Sequence, residues 1–150
     1  MKGVFIMSNL LEAKIQLLNE GVKFKSVVEG KPEIITDYLP PYGDGLSVLP
    51  LELFLISFGT CAGGVITPML KRMGKQIQGL QIIIQGKRRE EHPLCFEEIK
   101  LKISVDSVDV TEEDLKKAVK LAEEKFCPVW AMIKGNVIVT YELYANIVAF

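Results

Sequence analysis

An uncharged run of 18 residues, Leu53 to Leu70, constrains this chain more than any other feature. It sits at the lower length limit for a helix crossing a bilayer. Its content argues otherwise: Ser57, Gly59, Thr60, Gly63, Gly64, Thr67 and Pro68 interrupt the apolar residues, and Glu52 stands at its edge. Such a run suits a helix buried on all sides within a protein better than one facing lipid. Pro50 fits the first helical turn, where its missing N–H costs nothing. Gly74 fits the C-terminal stop. The spacing therefore predicts a helix from Pro50 to about Met73, kinked at Pro68.

Strand patterns flank this helix. Ala13, Ile15 and Leu17 alternate with polar residues, Asn19-Glu20-Gly21 offers a turn, and Val22, Phe24, Ser26 and Val28 alternate again, which reads as a hairpin. A short strand at Ile34-Ile35 follows, then an irregular loop over Pro40-Pro41-Tyr42-Gly43-Asp44-Gly45. Beyond the helix, Leu80 to Lys87 and Ile99 to Val105 read as strands, the second with one solvated face. Thr111-Glu112-Glu113-Asp114 approximates a capping box, and Leu115, Ala118, Val119 and Ala122 continue at helical spacing. Phe126-Cys127-Pro128 breaks that helix and starts another. Val137 to Leu143 closes the chain as a strand. The expectation is a single α+β domain over residues 1–150, with antiparallel strands around a long buried central helix.

Composition adds a partner. Apolar residues make up 49% of the chain and mean hydropathy is +0.24, so part of the apolar surface is expected in a subunit interface. With 18 basic and 19 acidic residues, nothing electrostatic points to nucleic acid or an anionic membrane. The opening MKGVFIMSNLLEAK lacks the cleavage pattern of a secretory signal. Three cysteines is an odd count, unlike a secreted disulfide framework. A cytoplasmic location is expected, where a cysteine pair suggests catalysis or redox sensing.

Five residues could carry chemistry. With Pro128 as the first helical residue, Cys127 becomes an N-cap whose sulfur faces unpaired N–H groups, an environment that favours a thiolate. Cys61 lies about three turns into the apolar helix, beyond the reach of its dipole. By itself it reads as a buried structural thiol. Glu52 precedes it by nine residues, which puts the two side chains about 180° apart on an ideal helix, so Glu52 needs another partner. Arg88 or Arg89, in the charged connection before Pro93, could reach a carboxylate or thiolate elsewhere. Cys95 reads as structural and His92 as part of a solvated turn. No metal is expected from one His without ligands at metal spacing. No phosphate loop, Ser-His-Asp set or CxxC motif is present, and no cofactor is expected.

Two segments together resemble the OsmC/Ohr superfamily. Leu49-Pro50-Leu51-Glu52-Leu53-Phe54-Leu55-Ile56-Ser57-Phe58-Gly59-Thr60-Cys61 is similar to that family's helix leading into its first cysteine. Ala122-Glu123-Glu124-Lys125-Phe126-Cys127-Pro128-Val129 is similar to the segment holding its second. Arg88-Arg89-Glu90-Glu91-His92-Pro93 resembles most the YhfA-like branch of OsmC proteins. The resemblance implies an OsmC-like fold in an intertwined homodimer, with both cysteines of each site from one chain. It implies that Cys61 attacks a hydroperoxide, Cys127 resolves the sulfenic acid as a disulfide, and a dithiol reductant restores both. The peroxidase branches carry an activating Arg on an early strand, whereas no Arg precedes Arg72 here. Their paired Glu lies one position earlier, where this chain has Leu51, and Glu52 fits the YhfA-like spacing. Activation of Cys61 is thus expected from Arg88, held by Glu52, with Arg89 as the alternative.

The leading expectation is a two-cysteine hydroperoxide reductase in oxidative-stress defence. The alternative is a non-catalytic relative binding a small apolar ligand or protein thiol in the same interfacial cleft.

Overall fold

The computed structural model describes residues 9–146; the reading of the first residues as leaderless falls largely outside that range. Two compact units divide at Leu53 and Phe54. The first holds a three-stranded antiparallel sheet of β1 (Lys14–Leu17), β2 (Phe24–Val27) and β3 (Ile34–Thr36), in that order. Lys14 pairs with Val27 and Phe24 with Thr36. The Asn19 side chain makes the first turn by accepting the Gly21 N–H at 3.0 Å. After β3 the loop is tied down by Asp37, which is 1% exposed. Its carboxylate accepts the N–H groups of Tyr38 (2.8 Å) and Asp44 (3.1 Å) and faces Lys23 Nζ at 3.7 Å. That set satisfies a buried charge that would otherwise be costly.

Helix α1 (Pro50–Arg72) starts as expected at its proline. It ends at Gly74, whose φ of 80° is the left-handed cap conformation. Lys75 N–H then reaches back to Leu70 O and Gly74 N–H to Lys71 O. From Phe54 onward the helix belongs to the second unit, where Phe58, Ala62, Ile66 and Leu70 recur every fourth residue and are fully buried. The side chains of Ile82, Ile84 and Leu80 on β4 (Gly79–Arg88) fill the space beside Gly59 and Gly63, so the small residues let helix and strand approach. α1 is long and apolar enough to cross a membrane, but this stripe makes it the core helix of a soluble fold. Burial on all sides does not hold within one chain: Ile56, Ser57, Thr60, Gly64 and Pro68 form an exposed face.

The second sheet runs β4-β5-β6, with β5 (Phe96–Asp106) central and β6 (Ile138–Ala145) at one edge. Ile99, Leu101, Ile103 and Val105 of β5 are fully buried and alternate with Lys100, Lys102 and Ser104. One pairing departs from the antiparallel expectation: β6 lies parallel to β5. The physical reason is the helical crossover between them, which returns the chain to the end where β5 began. That crossover begins with α2 (Glu112–Leu121), whose capping box is complete: Thr111 accepts Asp114 N–H and Asp114 accepts Thr111 N–H. Such a cap stabilises a helix by about 1 kcal/mol. Leu115, Ala118 and Val119 turn its apolar face inward.

Candidate active site

Two local devices bring sulfur to sulfur. The first is α1, which carries Cys61 next to the buried stripe, so that its thiol is half-buried. The second lies at the end of α2. There the helix widens into a π-helical turn, Ala122–Phe126, closed by the Cys127 N–H on Ala122 O at 3.0 Å. Pro128 has no N–H to continue the ladder and opens α3 (Pro128–Ile133). Cys127 is left at the N-cap with an extended backbone, and its Sγ accepts the Trp130 N–H at 3.4 Å. From that position the Cys127 S–H donates to Cys61 Sγ at 3.2 Å. The Trp130 ring packs edge-on to Phe58 at 5.3 Å and to Tyr141 at 6.2 Å.

The N-cap expectation for Cys127 is overturned in its sign. Burial pushes this thiol up to about 11, against the pull of the Trp130 and Val129 N–H groups; the contact with Cys61 adds to the rise. Cys127 is 2% exposed, and removing a thiolate from water outweighs two amide dipoles on a short helix. The two sulfurs therefore differ. Cys127 holds its proton in the interior, while Cys61 accepts a hydrogen bond and keeps a face toward solvent. The pair is poised for bond formation: about 1 Å of closure reaches the disulfide length of about 2.05 Å.

The remaining predicted residues lie as follows. Glu52 takes the third helical position, and its carboxylate accepts the Leu49 N–H at 2.8 Å, half of a capping box. Arg88 ends β4, and its Nε donates to Leu94 O at 2.7 Å. Arg89 Nε donates to Glu91 O at 3.0 Å and also to Pro93 O. Both arginines thus brace the β4–β5 hairpin within the chain. His92 is exposed in that turn, and Cys95 is half-buried beside it, its carbonyl accepting the Arg89 N–H. Among the described residues no three His, Cys, Asp or Glu side chains gather to hold a metal. The Trp130 N–H is one of the unpaired amides expected to face the Cys127 sulfur, with Pro128 as the cue for that cap. Sequence reasoning missed the π-helical turn, for which the sequence carries no comparable signal. A shallow apolar groove of about 340 Å³ runs along Leu55, Ile56, Thr60 and the Leu80-Ile82-Ile84 face, and neither paired sulfur lines it.

Residues 43–142 match the family model described as OsmC-like protein. The chain belongs to the OsmC-like family. Glu52, Cys61, Arg88 and Cys127 all fall inside the matched span. The chain is similar to Protein YhfA of Escherichia coli K12, 30% identical over 98 residues, which are 64% of this chain and 73% of YhfA. The OsmC-like fold is also that of a hypothetical protein from Aquifex aeolicus VF5. That structure is 32% identical with a TM-score of 0.77, covering 92% of this chain and 98% of the other. An organic hydroperoxide resistance protein from Elizabethkingia anophelis shares the fold at a TM-score of 0.74. It is 17% identical, with 97% of this chain and 100% of that one covered.

Proposed function

We propose that this OsmC-like protein is a thiol-dependent hydroperoxide reductase of the cytoplasm, acting as a homodimer in oxidative-stress defence. The observation that carries the reading is the 3.2 Å approach of two free thiols, one half-exposed and one buried. Cys61 is the attacking thiol, because its side chain is half-exposed whereas Cys127 is buried. Its thiolate attacks the terminal peroxide oxygen, an S–O bond forms as O–O breaks, and an alcohol leaves. Cys127 then displaces water from the sulfenic acid and closes the disulfide. An external dithiol returns both cysteines to thiols as it becomes a disulfide itself. The electrons come from that reductant, so the cycle needs no metal or bound cofactor. The similarity of fold to an organic hydroperoxide resistance protein supports an organic hydroperoxide as substrate.

A thiolate half-buried among apolar residues needs a compensating positive charge. Arg88 is the residue we assign, acting across the dimer, with Glu52 holding the guanidinium by a charge-assisted hydrogen bond. Arg88 Nε is already fixed on Leu94 O, which leaves the head group little freedom to lose. The reading is tested by adding one equivalent of an organic hydroperoxide to the reduced protein and mapping its peptides. Two of the three thiols should be consumed, recovered as a Cys61–Cys127 disulfide with Cys95 free. A bridge to Cys95, or three intact thiols, rejects it.

A further inference from the structure

We propose that Cys127 also acts one step earlier, as the acid that protonates the oxygen leaving from the hydroperoxide. The proposal rests on the peroxidase reading and adds a role to it. Its basis is the 3.2 Å approach of the two sulfurs: with Cys61 ionised for attack, the one hydrogen between them is that of Cys127. The Cys127 Sγ accepts the Trp130 N–H at 3.4 Å, which leaves its own S–H to donate toward Cys61. A peroxide whose terminal oxygen meets Cys61 Sγ arrives beside that S–H. The breaking O–O bond then leaves its charge next to a proton donor.

The chemistry also removes a difficulty with the resolving step. A thiol that burial has pushed up to about 11 is ionised in only about one molecule in 10⁴ at pH 7. Disulfide closure from that thiol would be slow, because the thiolate is the nucleophile. Hydroxide and alkoxides are far stronger bases, with water ionising near 15.7, so proton transfer from Cys127 to the leaving oxygen is downhill by more than about four powers of ten. In balance, the Cys61 thiolate and ROOH give Cys61–SOH and RO⁻. RO⁻ takes the Cys127 proton to give ROH and a Cys127 thiolate. That thiolate attacks the Cys61 sulfur, S–S forms, S–O breaks and hydroxide leaves. The hydroxide is neutralised by the proton Cys61 released on ionising. Reduction of the first molecule thus arms the thiol that completes the cycle.

The test compares two oxidants whose leaving groups differ. An alkyl hydroperoxide expels an alkoxide, which needs an acid. A peroxycarboxylic acid expels a carboxylate, whose parent acid ionises near 4 and which needs none. Formation of the Cys61 sulfenic acid is followed by rapid-quench trapping with a carbon nucleophile, in native protein, Cys127→Ala and Cys127→Ser. The Ala variant should be slowed about 100-fold with tert-butyl hydroperoxide, within the range for general acids, and far less with peracetic acid. Cys127→Ser keeps an O–H donor and should recover most of the alkyl hydroperoxide rate, although it cannot form the disulfide. Because each variant serves as its own reference, any change in Cys61 ionisation or folding affects both oxidants alike. Equal slowing with the two oxidants, or no slowing with either, overturns the acid role and leaves the peroxidase reading standing. A native protein that forms no Cys61 sulfenic acid overturns the peroxidase reading and this role with it.

Discussion

At Cys127 a local effect and a distant one oppose each other. Pro128 sets the cap and brings the Trp130 N–H to the sulfur, which was legible in the sequence. Burial was not legible, because it arises only when the folded chain packs over Cys127 and brings Cys61 within 3.2 Å of its sulfur. It is the larger effect, and it turns the expected thiolate into a retained thiol. The pairing of Cys61 with Cys127 rested on resemblance alone, since helix position argued for a structural Cys61. Helix arithmetic sets Glu52 about 180° from Cys61, and in the chain it accepts the Leu49 N–H. The assignment of Arg88 to Cys61 yields a prediction at this scale. Arg88→Met should slow alkylation of Cys61 at neutral pH by about tenfold, equivalent to about 1.4 kcal/mol of lost thiolate stabilisation. Peroxide reduction should slow in parallel. If neither Arg88→Met nor Arg89→Met changes the alkylation rate, the compensating charge lies elsewhere.

Elements were legible wherever one periodicity ran unbroken. The 3.6-residue period and the Pro50 and Gly74 caps located α1 to within a residue or two, and the period of two located β4 and β5. The sheet order escaped, because the parallel partnership of β6 with β5 depends on where the α2–α3 crossover sets the chain down. Strand β4 shows how tightly two elements can fit. A Cβ at Gly86 would overlap the ring of Phe96, which is buried and packed against Phe54 at 6.1 Å. The ring shields the bare backbone of that edge strand and cannot swing away without leaving its partner. Gly86→Ala should therefore destabilise the fold by about 1–3 kcal/mol, read as a lower midpoint in urea with an unchanged slope. An unchanged midpoint would mean that Phe96 has room to move.

At the scale of the molecule, the chain leaves apolar surface without cover. All four residues of β1 are exposed, with Ile15 at 64%, and Leu11 before it is 93% exposed. The outer face of α1 presents Ile56 at 51%, beside Thr60 and Gly64. Exposed apolar faces of this kind are where the proposed homodimer would bury surface. Light scattering at micromolar concentration should give about twice the chain mass of 16.8 kDa, and Ile56→Glu should shift the population toward monomer. A native monomer would remove the cross-subunit role of Arg88. The central claim is that the Cys61–Cys127 pair turns over hydroperoxide, and steady-state consumption of an organic hydroperoxide with a dithiol reductant measures it directly. Native protein should consume many equivalents per site, and Cys61→Ser should fall to the rate of the dithiol alone. Equal consumption by the two proteins, or none by either, would contradict the account.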